Sequence, residues 1–337
     1  MQAPTILLAG NENPLGMPQA AREAATQAIA GAGRYPDPTG AVLVNALSRR
    51  LAMPPEAFVL GSGSCEVLTL AAQALVRPGE RIVSSRNGFI VYRQAARLAH
   101  AQHTLVPERD YGHDLRAIRA AIDGATRLVF VANPNNPTSS FLPGGELLDF
   151  LQDVPPDVTV LLDEAYTEYL GAHERYDAIA WVRRLPNLLV TRTFSKAYGL
   201  AGLRVGYGVA QPALAARIEA IRPRYNLTAP ALAAATAALG DEAFLARSVA
   251  LNTAGRRQLE LGFAQLGLRS LPSAGNFLMV DVGDGAAVHR ALAGQGIHLS
   301  MLGPYGLPQW LRVTVGLPEQ NTRVLQALQE QRLTATA

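Results

Sequence analysis

Seven short β-rich runs punctuate the middle of this 337-residue chain, with helical stretches between them. The runs are Val59–Leu60, Arg81–Ser84, His103–Val106, Arg127–Ala132, Val158–Asp163, Asn187–Thr191 and Val205–Val209. Several are apolar without interruption, the pattern of strands buried on both faces of a mostly parallel sheet. The intervening stretches Cys65–Leu75, Tyr92–His100, Leu115–Ile122 and Gly145–Leu151 have helical composition. Strand and helix in alternation predict a doubly wound α/β unit. The last third reads differently. Helices are expected over Pro212–Ala220 and Pro230–Leu266, the latter interrupted near Gly240-Asp241. Short strands at Phe277–Val282 and Leu311–Val315 then flank a helix at Ala286–Ala293, and Pro318–Gln331 closes the chain as a helix. The expected division is a large α/β unit over 34–225 and a small α+β unit made from 1–33 and 226–337, with the helix Pro18–Ala30 packing against the small unit.

Composition removes several classes of function. At 49% hydrophobic and 17% charged, the chain has enough apolar surface for a large core and little that favours long disordered tracts. The net charge of +3 is spread along the chain, and no Lys/Arg run is dense enough to mark a nucleic-acid or lipid surface. A single cysteine, Cys65, excludes an internal disulfide and fits a reducing cytoplasm. His100 and His103 lie close together but lack the acidic or cysteine company of a metal site, so no metal is expected. No apolar stretch reaches membrane-spanning length, and Met-Gln-Ala-Pro-Thr at the N-terminus has no basic region of the signal-peptide kind.

Ligands in open α/β sheets bind beyond the carboxyl ends of the strands, and there the polar residues of interest collect. Gly61-Ser-Gly-Ser-Cys65 is either an ordinary strand–helix connector or an anion cradle at a helix N-terminus. Asn133-Pro-Asn-Asn-Pro-Thr-Ser139 is either a plain turn or the means of aiming the Asn136 amide at a ligand oxygen. Asp163 ends its run as a helix cap or as a functional acid, and Tyr166 follows three residues on. Phe89 is a core aromatic or a ring stacked on a ligand face. Lys196 is the least ambiguous. Lysines are rarely buried, yet this one stands among Phe194, Ala197, Tyr198 and Leu200, flanked by Thr193 and Ser195 and followed by Arg204. An imine-forming amine, an acid for a pyridinium nitrogen, a phenol for a ring oxygen and a cation for a phosphate together describe a pyridoxal-phosphate (PLP) enzyme.

Nearly the whole chain resembles the class I/II aminotransferases of PLP fold type I, and within them the histidinol-phosphate aminotransferase group. The likeness runs through Gly10-Asn-Glu-Asn-Pro-Leu-Gly16, Arg34-Tyr-Pro-Asp-Pro38, Gly61–Glu66, Phe89-x-x-Tyr92, Asn133–Thr138, Asp163–Tyr169, the Lys196 segment, Ser273–Phe277 and Trp310–Gly316. It implies a mostly parallel seven-stranded sheet flanked by helices, plus a small α+β domain. It also implies that Lys196 carries the Schiff base, that Asp163 meets the ring nitrogen, and that Tyr166 and Asn136 meet the ring oxygen. Backbone at Ser64 and Cys65, with Thr193, Ser195 and Arg204, would hold the phosphate. Tyr35 would reach the phosphate in a partner subunit, making a homodimer with shared sites. Arg312, helped by Asn13, would receive the substrate. The implied activity is transamination between an amino acid (or a histidinol-phosphate-like amine) and a 2-oxo acid. Decarboxylation or oxidation on the same scaffold is the alternative. A regulator is disfavoured, because the family pattern already starts by Gly10 and leaves no space ahead for a DNA-binding domain. Three positions depart from the family: Cys65 where an acid is usual, Ser139 where glycine is usual, and Ser300 where an arginine usually helps bind the substrate phosphate. The last implies that histidinol phosphate is a poor substrate and a free α-amino acid a better one, unless another cation such as Arg22 or Arg224 fills the place.

Overall fold

The computed structural model describes residues 5–335, so residues 1–4 and 336–337 of the expected small unit lie outside the described residues. Its strands are β1 (Ile6–Leu8), β2 (Phe58–Gly61), β3 (Arg81–Ser85), β4 (Gln102–Val106), β5 (Thr126–Ala132), β6 (Thr159–Asp163), β7 (Leu188–Thr193), β8 (Gly206–Ala210), β9 (Phe277–Asp281), β10 (Ile297–Met301) and β11 (Trp310–Thr314). Seven of them form one sheet in the order β2-β8-β7-β6-β5-β3-β4. Only β8 runs against its neighbours; the pairs β3–β4, β3–β5, β5–β6 and β6–β7 are all parallel. Seven strands and a mostly parallel sheet are as the alternation predicts.

Burial on both faces explains the apolar runs. Along β5, Val129 and Val131 enter one core, while Leu128, Phe130 and Ala132 enter the core on the other face. Helices supply the second layer on each side. Ser64–Leu75 and Ile90–Leu98 cover one face; Leu115–Ala120, Gly144–Asp153 and Ala178–Val182 cover the other.

The second sheet is smaller, in the order β1-β10-β11-β9, with β1 parallel to β10 and the other two pairs antiparallel. Its core joins Leu8, Leu278, Val280, Ile297, Leu299, Leu311 and Val313 to Leu259 and Phe263 of the long helix Glu242–Gln265 and to Val324 and Leu328 of the last helix. Strands β1 and β10 were not among the expected elements. Each is short, and β1 exists only because the distant β10 supplies its hydrogen-bonding edge.

One assignment is corrected. The helix Gln19–Ile29 packs against the helix Ala229–Gly240, and both join the core of the large sheet rather than that of the small one. The cause is side-chain size. Ala21 and Ala25 face Ala231, Ala234, Ala235 and Ala238, and small faces let helices approach closely. The helix Ala41–Leu51, also outside the expected set, adds Leu43 and Leu47 to the same core. The interruption near Gly240-Asp241 is present: the Asp241 carboxylate accepts from the Phe244 amide at 2.9 Å and starts the long helix.

Backbone crowding fixes one corner of the fold. A Cβ on Gly206, the first residue of β8, would fall on the backbone of Gly63 and Ser64. Gly206→Ala is therefore expected to lower the unfolding free energy by about 1–3 kcal/mol, read from urea denaturation. Unchanged stability would show that the loop before Ser64 yields freely.

Candidate active site

A cavity of about 510 Å³ opens at the carboxyl edge of the large sheet, between it and the small sheet. Its size suits a cofactor with part of a substrate. One end is built from donors. The helix Ser64–Leu75 begins there, so the Ser64 and Cys65 amides lie at a helix N-terminus, where first-turn N–H groups lack intrahelical partners. Gly63, at φ 75°, precedes them; a side chain there would strike the Arg204 guanidinium. Arg204 Nη1 donates to Ser195 Oγ at 3.1 Å, and Thr193 Oγ1 donates to the same oxygen at 3.0 Å. Ser195 Oγ thus accepts twice, and its own proton is left for a ligand. Arg204 holds a left-handed φ of 54°, a strained conformation for a non-glycine residue and one that occurs at ligand clamps.

The other end carries the acid. Asp163 ends β6, buried, where Tyr92 Oη donates to Oδ2 at 3.0 Å and Thr191 Oγ1 donates to Oδ1 at 3.2 Å. Burial pushes its carboxyl up to about 6 despite these donors and the Ala165 amide. Phe89 lines the cavity and meets Tyr92 edge-on at 6.0 Å. Tyr92 was no candidate for the site; the Phe89-x-x-Tyr92 spacing, one helical turn, is the signal that points to it. Burial likewise raises the Cys65 thiol, which makes it a poor nucleophile.

Lys196 lies between the two ends. Its Nζ donates to the Gly10 carbonyl at 2.9 Å and stands 6.0 Å from the centre of the Tyr166 ring. Burial, and then the charge of Arg312, lowers its pKa to about 8. The amine is therefore partly neutral near physiological pH. Tyr166 and Asn136 face the same space. The Asn136 oxygen accepts from Arg312 Nη1 at 2.5 Å, which turns its N–H groups toward the pocket. Arg312 Nη2 donates to the Ala9 carbonyl at 2.6 Å, and its Nε is buried without a partner.

Two expected residues stand elsewhere. Asn13 is not on the cavity: its amide donates to Ala197 O at 2.9 Å and to Ser248 Oγ at 2.8 Å, and its oxygen accepts from the Leu15 amide. Those bonds use the whole side chain, so Asn13 braces the Lys196 loop. Its neighbours Asn11 and Glu12 line the cavity instead, together with Tyr305. Tyr35 is 82% exposed, stacked on Tyr225 at 4.7 Å, and outside the cavity of its own chain. Ser300 lines the cavity directly across the strand pair from Arg312. Ser139, where the resemblance implies glycine, adopts a left-handed φ of 56° and is held by Ser273 Oγ at 2.7 Å and the Gly275 amide at 3.0 Å.

The donor-only cradle at Ser64, Ser195 and Arg204 suits a phosphate, and a buried acid opposite it suits a protonated ring nitrogen. The residues fit pyridoxal phosphate. Comparisons with known proteins agree. The model of the aminotransferase class I and II family matches residues 3–328. Histidinol-phosphate aminotransferase 2 of Ralstonia nicotianae is 54% identical over 96% of this chain and 88% of its own length. Histidinol-phosphate aminotransferase 1 of Cupriavidus pinatubonensis is 54% identical over 97% and 88%. The solved histidinol-phosphate aminotransferase of Sinorhizobium meliloti, in complex with pyridoxal-5'-phosphate, superposes with a TM-score of 0.89 at 30% identity, over 97% of this chain and 90% of that one. The chain belongs to the class I and II aminotransferases and is a PLP-dependent transaminase.

Proposed function

We propose that the cavity binds pyridoxal phosphate through Ser64, Cys65, Thr193, Ser195 and Arg204 on the phosphate, Asp163 on the ring nitrogen, Tyr166 and Asn136 on the ring oxygen, Phe89 against the ring face and Lys196 at the aldehyde. Bound there, the cofactor supplies an aldehyde for amines and a ring that draws electrons from the amine-bearing carbon. The rest falls to the protein. Asp163, as a carboxylate, keeps the ring nitrogen protonated. Lys196, with its lowered pKa, takes the proton from the amine-bearing carbon and returns it. Asn136 holds Arg312 while donating to the ring oxygen, which ties substrate binding to cofactor orientation.

Arg312 carries the substrate reading. Arg312 lines a site whose other cations, among the described residues, are Lys196 and Arg204, and its own Nε is buried without a partner. We infer that one anionic group of the amino donor binds here. The two 54%-identical relatives, both histidinol-phosphate aminotransferases, support histidinol phosphate as that donor, its phosphate gripped by one cation. Ser300 favours a second reading, a free α-amino acid, because nothing on the chain's own cavity replaces the family's arginine. Arg22 and Arg224 are both exposed and away from the cavity.

A homodimer is part of the proposal. Tyr35 and Tyr225 form an exposed aromatic pair with no role in their own chain's cavity, as expected of residues that reach a partner. A cytoplasmic setting is supported by the lone cysteine; no helix of the described residues is long and apolar enough to cross a membrane.

The donor question is settled by kcat/KM for histidinol phosphate beside a panel of α-amino acids. Histidinol phosphate should be turned over, and Ser300→Arg should lower its KM roughly 10- to 100-fold, the effect of one added charge-assisted contact. Turnover of α-amino acids alone would establish the second reading.

Asp163→Asn should reduce turnover roughly 10²-fold or more. It should also stabilise the apoprotein at neutral pH. Folded Asp163 keeps its proton to about pH 6, against an ordinary value of 3.8, so native stability falls as pH rises through that window. The amide cannot ionise, and its gain above that window is on the order of 1–3 kcal/mol in denaturant titrations. Equal stability of the two proteins above pH 6 would contradict the burial argument.

Light scattering should report a dimer. Mixing Tyr35→Phe with Lys196→Ala subunits should yield hybrid sites that pair native Lys196 with native Tyr35. A monomer at working concentration would dismiss the shared site.

A further inference from the structure

Asn11 sits 1% exposed where the N-terminal segment passes between the two sheets, and all its polar groups are engaged. Its backbone N–H donates to Thr314 Oγ1 at 3.0 Å, and its carbonyl accepts from Asn276 Nδ2 at 3.0 Å. Thr314 Oγ1 donates to Asn11 Oδ1 at 3.2 Å, and Asn11 Nδ2 donates to Tyr166 Oη at 2.9 Å.

The direction of these bonds follows from counting protons. A threonine hydroxyl has one. The Thr314 oxygen already accepts the Asn11 backbone N–H, so its proton goes to the neighbouring Oδ1. That makes Oδ1 the acceptor and sets the amide nitrogen toward Tyr166. A flipped amide would leave the Thr314 proton facing N–H groups. The Tyr166 oxygen is therefore an acceptor in this contact, and the phenol cannot spend its own proton on Asn11. The ring is held edge-on against Phe277 at 5.1 Å, so Oη stays where it is.

We propose that Asn11 is a positioning residue for Tyr166: by donating to the phenol oxygen, it directs the single phenol proton into the cavity, toward the ring oxygen of the bound cofactor, and makes it a stronger donor. The proposal rests on the assignment of Tyr166 to that ring oxygen. An oxygen that accepts one hydrogen bond donates another more strongly. The charged and titratable groups around the phenol are Asp163, Lys196, Arg312, Tyr92, Tyr169 and Tyr305, and the Asn11 contact lowers the phenol's pKa against the larger upward push of burial. Asn11 also binds the small sheet through Thr314 and Asn276, so the aim of this proton depends on where that sheet sits.

The test is the pH titration of the holoenzyme's visible absorbance. Donation to the ring oxygen favours its anionic form, so weakening that donation raises the pH midpoint of the colour change. Tyr166→Phe should raise it. Asn11→Leu should raise it by about 0.5–1 pH unit, the worth of one neutral hydrogen bond. Asn11→Asp, which keeps the shape but accepts the phenol proton, should raise it at least as far, and it serves if the leucine variant does not fold. The double variant Asn11→Leu/Tyr166→Phe should match Tyr166→Phe alone. A bracing role without effect on the phenol would lower the melting temperature and leave the midpoint in place. An Asn11 variant with an unmoved midpoint, beside a raised one for Tyr166→Phe, overturns the proposal, as does an additive double variant. If Tyr166→Phe also fails to move the midpoint, the assignment of Tyr166 falls with it.

Discussion

Parallel strands must all end at one edge, and the active site depends on that edge. Ala132 pairs with Asp163, and Asp163 with Thr191, so β5, β6 and β7 finish side by side. The loops that follow deliver Asn136, Tyr166 and Lys196 to one cavity. The one reversed strand serves the same end. Because β8 runs the other way, it starts where its neighbours stop, and Arg204 just before it arrives beside Ser64. The crowding of Gly206 on Ser64 is the contact that makes this meeting close.

The edge alone supplies half of the site. The small sheet brings Arg312 and Ser300, and the N-terminal segment ties the two parts together. Ala9 and Gly10 accept from Arg312 and Lys196, Asn11 links Thr314 to Tyr166, and Asn13 holds the backbone just after Lys196. Four residues within five positions thus hold Arg312, Lys196 and Tyr166 in place. This packing also buries the three ionisable groups, and the electrostatics follow. Asp163 is driven up, Lys196 down to about 8 and Arg312 down, all chiefly by burial. Each shift opposes the charged form and so works against folding stability. Such opposition is common where chemistry needs an amine partly neutral and a carboxylate ready to receive a donor.

Much of this was legible in the residues. Continuous apolar runs alternating with helices determined a buried parallel sheet, because period and burial leave little choice when both faces are covered. A lysine in an apolar segment, costly to bury without a reason, pointed to the cofactor in company with an acid at a strand end and a glycine turn before a helix, each of which has an ordinary reading alone. Tertiary structure decided the rest. Strand β1 is too short to declare itself and forms only on the edge of β10, which is itself held by β11. The alanine faces of Gln19–Ile29 and Ala229–Gly240 do not say which core they join, since alanine fits either. Asn11 and Asn13 are the same residue type two positions apart. One faces the cavity and the other does not, because hydrogen-bond direction is set by partners more than a hundred residues away in the chain, which no local pattern records.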